Sequence, residues 1–171
     1  MRGILSQTCI VTAIVFALSV FGVPQLKPDF SGEWILNRQA STVSPLSKTV
    51  QNGVVRIEHR DPTFRYSSAF VGESGPLPYS PLHSDYELRS DGREVGVTYQ
   101  GLTTLASLRW EGEVLVASWR IQRPDGELRI SFRFELIDAG KRLRATERAR
   151  GGLLDQDNIW VFDRAIPRNN Q

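Results

Sequence analysis

The chain reads as an all-β protein, an antiparallel up-and-down meander closing into a barrel of about 8–10 strands, with a two-sheet sandwich as the alternative. Three observations lead there. From Phe30 onward the apolar residues show no helical period. Short alternating runs recur instead, most clearly where Leu128, Ile130, Phe132, Phe134 and Leu136 are interleaved with Arg129, Ser131, Arg133 and Glu135. Each run ends at turn-forming residues such as Asp91-Gly92, Pro124-Asp125-Gly126 and Ala139-Gly140. A meander this long curls or splits, because an open twisted sheet leaves adhesive edges.

The first strand covers Glu33 to Asn37, with Trp34 and Leu36 on one face. The second (about Val54 to His59) and third (about Phe64 to Val71) flank Arg60-Asp61-Pro62-Thr63. That turn sets His59 against Phe64, Glu58 against Arg65 and Ile57 against Tyr66. Ser84 to Arg89 and Glu94 to Tyr99 flank Ser90-Asp91-Gly92-Arg93, which predicts a hairpin with Leu88 facing Val95 and Arg89 facing Glu94. Gln100-Gly101 turns into Leu102 to Trp110. Glu111-Gly112 then turns into Glu113 to Gln122, setting Leu108 against Leu115 and Ala106 against Ala117. Glu127 to Ile137 follows Arg123-Pro124-Asp125-Gly126. Ala139-Gly140 turns into Arg142 to Arg148, with Leu136 facing Leu143 and Glu135 facing Arg144. A looser loop, Gly151 to Asp157, precedes the last strand at about Ile159 to Arg164.

Ahead of the strands, residues 1–22 read as a signal peptide. Arg2 supplies the positive charge, Ile10 to Phe21 the apolar run, and Val20 and Gly22 are small enough to flank a cleavage site. An uncleaved membrane anchor is the alternative, since Ile4 to Val23 is about long enough to span a bilayer. Residues 23–171 then form a single domain, exported to the periplasm or secreted. Cys9 is the only cysteine, so the processed chain has no disulfide and no thiol chemistry. At about 149 residues it is long enough to bury a true core.

The segment Pro28-Asp29-Phe30-Ser31-Gly32-Glu33-Trp34 resembles the start of lipocalin-like proteins, whose first strand carries a Gly-x-Trp motif. It also resembles a group of small exported bacterial proteins that begin Asp-Phe-Ser-Gly-x-Trp and have no established activity. The resemblance implies a lipocalin-like, calycin-type barrel with an apolar ligand cavity. It further implies that Trp34 closes the base of the barrel and stacks under Arg164 of the last strand. The helix that follows the eighth lipocalin strand has no counterpart after Glu147.

The shared hairpin face points inward and is mostly apolar with a few hydroxyls, as small-molecule cavities are. Candidate ligand-binding residues on it are Tyr66, Tyr86, Tyr99, Ala117, Trp119, Phe132 and Glu147. The facing alanines Ala106 and Ala117 either leave space or accommodate large neighbours such as Phe132 and Phe134. Glu147 falls opposite Phe132 on the apolar face, where an ionised carboxylate is costly unless paired or hydrated. Local twist ends the strand and leaves Glu147 at the wet rim. The alternative holds it inside near Tyr66, Tyr86 or Ser68, as the polar handle for an otherwise apolar ligand.

Residues 38–52 form a long loop placed to cover a barrel mouth, or a plain surface connection. Gly72 to Pro81 forms a second, proline-rich loop. The two histidines, His59 and His83, make no metal-ligand pattern, and no Gly-x-Ser-x-Gly elbow occurs. No catalytic residue, metal or cofactor is expected. The 21 basic and 19 acidic residues give no nucleic-acid footprint. An outward stripe of Arg120, Arg129, Arg133, Arg142, Arg144 and Arg148, interrupted by Glu135, reads as a solvated face. The expected function is non-enzymatic binding of a small apolar or amphipathic molecule, with no membrane span after processing. The alternative is an envelope interaction module with a filled barrel.

Overall fold

In the computed structural model, residues 27–73, 75–76, 85–99, 102–151 and 155–166 are described. The predicted signal peptide and the centre of the proline-rich loop lie outside them. The described residues contain no helix long and apolar enough to cross a membrane.

Eleven strands form one antiparallel sheet: β1 (Gly32–Leu36), β2 (Val50–Arg60), β3 (Thr63–Gly72), β4 (Gly75–Pro76), β5 (Tyr86–Arg89), β6 (Val95–Tyr99), β7 (Leu102–Glu111), β8 (Val114–Arg123), β9 (Gly126–Ile137), β10 (Arg142–Arg150) and β11 (Gln156–Arg164). The order β4-β3-β2-β1-β11-β10-β9-β8-β7-β6 is that of a curled meander, with the first strand joined to the last. Trp34 stands opposite Arg164 in that joint.

The β2–β3 and β9–β10 hairpins have the registers set by their turns: His59 faces Phe64, Ile57 faces Tyr66, Leu136 faces Leu143 and Glu147 faces Phe132. Two expectations need correction. The Ser90–Arg93 segment is not a hairpin turn. β5 pairs with β3, setting Leu88 against Phe64, whereas β6 pairs with β7, setting Val95 against Ala106. Between them the chain steps from one wall to the other. Gly92 donates its N–H to the Leu108 carbonyl at 2.8 Å, and Asp91 bridges to Arg109. Arg89 therefore pairs with Asp91, and Glu94 with Arg120. An Asp-Gly dipeptide marks a reversal only when the flanking strands are each other's best partners, and here each has a longer neighbour.

The β7–β8 register is the second correction. It is shifted by two residues: Leu108 faces Ala117, Ala106 faces Trp119 and Trp110 faces Leu115. The loop is Gly112-Glu113 rather than Glu111-Gly112, with Gly112 at φ +64 in its first position, where two-residue loops favour glycine. A slip of two keeps every side chain on its own face. The inner face survives, but the two alanines no longer oppose each other.

The core runs continuously from Phe30 and Trp34 through the inner faces of β2, β3 and β7–β11. Five of the six arginines of the outward stripe are matched: Arg120, Arg129, Arg133, Arg142 and Arg144 pair with Glu94, Glu127, Glu111, Asp163 and Glu135, while Arg148 stands opposite Asp157 in the ladder. Exposed pairs of this kind contribute little stability, but they leave no unbalanced basic stripe.

Candidate binding site in the barrel interior

The base of the barrel is closed by rings and backbone. Trp34 is fully buried, and its indole Nε1 donates to the Phe30 carbonyl at 3.0 Å. The Arg164 guanidinium lies 4.1 Å from the Trp34 ring centre and donates to the carbonyls of Ser31 and Gly140. Gly32 has φ +141, and a Cβ there would come within 2.9 Å of Arg164 Nη1. The glycine of the Gly-x-Trp motif is thus the space the arginine occupies. Beside it, Phe30, Phe64 and Trp110 surround the His59 ring.

Higher up, the ladders bring inward side chains into rows. One row runs Leu108, Ala117, Phe132, Glu147, Asn158 across β7 to β11. The row above it runs Ala106, Trp119, Ile130, Ala149, Gln156. Each alanine sits beside a large neighbour, and Ala106, Ala117, Ala145 and Ala149 are all buried.

The Tyr66 and Tyr86 rings stack at 4.9 Å, Tyr86 meets Trp119 edge-on at 5.1 Å, and Trp119 meets Phe132 at 5.8 Å. Four of the expected site residues therefore form one chain of rings. Phe132 stacks on Phe134, which reaches across the interior to Phe64 and Tyr66 of β3. The lower half is filled in this way. Tyr86 and Trp119 face inward yet are only half-buried, and they flank the break between β5 and β6. Tyr99 lies in β6, but its side chain is outside the described set. A surface cleft of about 420 Å³ opens where β5 leaves β3, with Tyr66 and Tyr86 at its edge and Arg56, Arg65 and Glu87 in its wall.

Glu147 is not at a wet rim, and that expectation is corrected. It is 1% exposed, because β10 continues to Arg150 and β11 begins early enough to cover it. Three donors meet its carboxylate: Gln156 Nε2 at 3.0 Å on Oε1, Asn158 Nδ2 at 2.9 Å and Trp160 Nε1 at 2.8 Å on Oε2. These amides and the indole are neutral, and they offset the desolvation that would otherwise exclude the carboxylate. Burial pushes the Tyr66 phenol far above its ordinary value. A hydrogen bond with Ser68 acts against this, and the nearby Glu147 charge adds to it. Tyr86 is pushed the same way by burial and by Tyr66.

The same amides hold the loop over the upper end. Asn158 Oδ1 accepts the Ser44 N–H at 2.6 Å, and Asn158 Nδ2 donates to Ser47 Oγ at 3.0 Å. Gln156 Oε1 accepts from the Ser44 hydroxyl at 3.1 Å. Thr42 bridges to Ile159, and a 3-10 turn occupies Pro45–Ser47. Residues 37–49 are thus pinned across the upper barrel by backbone and side-chain bonds.

Gln156, Asn158, Trp160, Ser44 and Ser47 escaped the sequence reading. Two inward polar residues at the start of β11 break the apolar alternation, so the strand reads as beginning at Ile159. The signal was Glu147 itself: an acid on an apolar face demands donors from the adjacent strand. Among the described residues, no group of three His, Cys, Asp or Glu side chains is placed to hold a metal ion.

The fold is an all-β antiparallel meander curled into a half-barrel. No protein-family model matches the chain, and no curated protein matches it in sequence. Solved structures match it in fold. Secretory abundant heat soluble protein 4 from Ramazzottius varieornatus aligns at 13% identity and TM-score 0.55, covering 82% of this chain and 99% of its own. Zebrafish ileal bile acid-binding protein complexed with cholic acid aligns at 16% identity and TM-score 0.51, covering 80% and 98%. A point mutant of the fluorescent protein UnaG aligns at 15% identity and TM-score 0.50, covering 81% and 97%. At these identities the likeness is one of fold.

Proposed function

We propose that this protein is an exported, non-enzymatic barrel that binds a small apolar or amphipathic molecule in its upper interior. The observation that carries the reading is the half-buried pair Tyr86 and Trp119. These rings face inward, beside a break in the sheet, and join Tyr66 and Phe132 next to a buried carboxylate. Apolar walls with a few placed polar groups are the usual make-up of small-molecule sites. That a barrel of this fold holds cholic acid in the zebrafish protein is consistent with it. Export rests on the apolar segment before Pro24 and is tested separately, by N-terminal sequencing of protein recovered outside the cytoplasm.

Binding is tested with Nile red, a neutral apolar probe, on the purified protein. Saturable emission enhancement is expected, together with quenching of a tryptophan signal that disappears in Trp119→Phe. Ala117→Phe, which places a ring between Leu108 and Phe132, is expected to abolish binding while the circular dichroism of the fold is kept. The second reading, a filled barrel acting through its surface, draws on the Phe64–Phe134 and Tyr66–Phe134 contacts across the interior. Absence of probe binding, with Ala117→Phe unfolding the protein by overpacking, decides for it.

A further inference from the structure

Among the described strand residues, one acidic or basic side chain lies on the inner face away from the strand ends, and it is a carboxylate, Glu147. Along the described strands the basic side chains lie on the outer face, with two exceptions of inward parity at strand ends. Arg123 stands at the upper rim, 3.2 Å from Asp125, and Arg164 is spent on the Trp34 ring at the base. The remaining inward charge is Glu147, and no ion pair reaches it among the described residues. Its three donors are neutral, with two on Oε2 and one on Oε1. A carboxylate offers about four acceptor positions, so Oε1 keeps capacity for one more donor.

The surroundings of that carboxylate favour a cation. Phe132 is its cross-strand neighbour. From Phe132 a chain of ring contacts runs through Trp119 and Tyr86 to Tyr66, whose phenol feels the Glu147 charge. Aromatic faces attract cations through their quadrupole, most strongly where water is excluded. An anionic headgroup would meet the Glu147 carboxylate in a low-dielectric interior, where no arginine pairs with it among the described residues. Polarity is therefore built into this interior, independently of its apolar volume.

From this juxtaposition we infer that the barrel selects amphiphiles bearing a cationic amine or ammonium head, held at Glu147 against the Tyr66, Tyr86, Trp119 and Phe132 rings, and discriminates against carboxylate amphiphiles. The inference rests on the small-molecule-binding reading above and specifies its ligand class.

The test uses three probes of one chain length, dodecylamine, dodecanol and laurate, each below its micellar concentration. Binding to the purified protein is followed by calorimetry and by displacement of Nile red. Dodecylamine is expected to bind about tenfold tighter than dodecanol, and laurate to bind more weakly than either. In Glu147→Gln, an isosteric change, the amine-to-alcohol ratio is expected to collapse toward one. If that variant does not fold, the wild-type ranking alone decides. Laurate binding as tightly as dodecylamine overturns the headgroup inference and leaves the binding reading standing, as does an amine preference unchanged in Glu147→Gln. Failure of all three probes to bind overturns both.

Discussion

The two ends of the barrel are closed by different chemistry. At the base, rings pack on rings, and the two side chains that seal it are satisfied by backbone: Trp34 by the Phe30 carbonyl, and Arg164 by the carbonyls of Ser31 and Gly140. At the upper end, side chains satisfy side chains. Glu147 is held by Gln156, Asn158 and Trp160, and the amides in turn hold Ser44 and Ser47. A base built on packing loses stability in proportion to what is removed from it. A top built on a hydrogen-bond network loses it wherever one member leaves another buried and unpaired. The first arrangement suits a fixed plug and the second a cover that can be released locally.

The largest effect is expected at the base. Trp34→Ala removes a fully buried ring from beneath Arg164 and should cost about 3–5 kcal/mol. Urea unfolding measures it, and amide exchange should rise throughout the sheet. A loss no larger than that of an exposed substitution would mean the base is not the structural anchor.

Asn158→Ala is expected to cost less, about 1–3 kcal/mol, because it strips one donor from a buried carboxylate and one acceptor from the Ser44 N–H. The more telling readout is local. Amide exchange should accelerate in residues 43–48 and little elsewhere. If the acceleration is instead uniform, the loop is not held by the network, and the contrast between the two ends dissolves.

Arg164→Ala is smaller again, since the side chain is exposed. Loss of the cation–π contact should cost about 0.5–1 kcal/mol in unfolding. Arg164→Lys should recover only part of it, because an ammonium cannot reach both carbonyls in the fork geometry of a guanidinium.

These contrasts map onto what could be read from the chain. The base was legible because the Gly-x-Trp segment resembles a motif whose tryptophan stacks under an arginine of the last strand, although Trp34 and Arg164 lie far apart in the chain. The inner face was legible because alternation survives a register error of two, as β7 and β8 show. The strand exchange at Ser90–Arg93 was not, since pairing preference is a property of walls far apart in sequence. The upper network was hidden for a related reason. Ser44 and Ser47 belong to a loop without periodicity, and they meet Gln156 and Asn158 only after more than a hundred residues have folded between them. Gly53 is a smaller example: a Cβ there would fall 2.2 Å from the Phe70 ring, a constraint that only cross-strand packing reveals.

The smallest expected effect separates packing from charge within the base. His59 is buried, with its side chain 3% exposed. Its Nδ1 accepts the Phe30 N–H at 3.3 Å, while Nε2 has no hydrogen-bond partner among the described residues. Burial lowers its pKa, against the opposing pull of Asp29 and Asp61, each 3.9 Å away. An unfolded imidazole takes up its proton near about pH 6.5, and the folded one does so at lower pH. Between those values the unfolded chain binds more protons, so this contribution to stability is complete above about pH 6.5 and is lost as the pH falls toward the folded value. The Asp61 carboxylate is held below its usual range, chiefly by the Ser90 hydroxyl, and Asp29 is also lowered, so both titrate below this window. Urea midpoints of wild type and His59→Gln, compared at about pH 7.5 and about pH 5.5, should therefore differ less at the lower pH. A difference that widens on acidification would show that Asp29 and Asp61 outweigh burial, and that the base is held by charge as well as by packing.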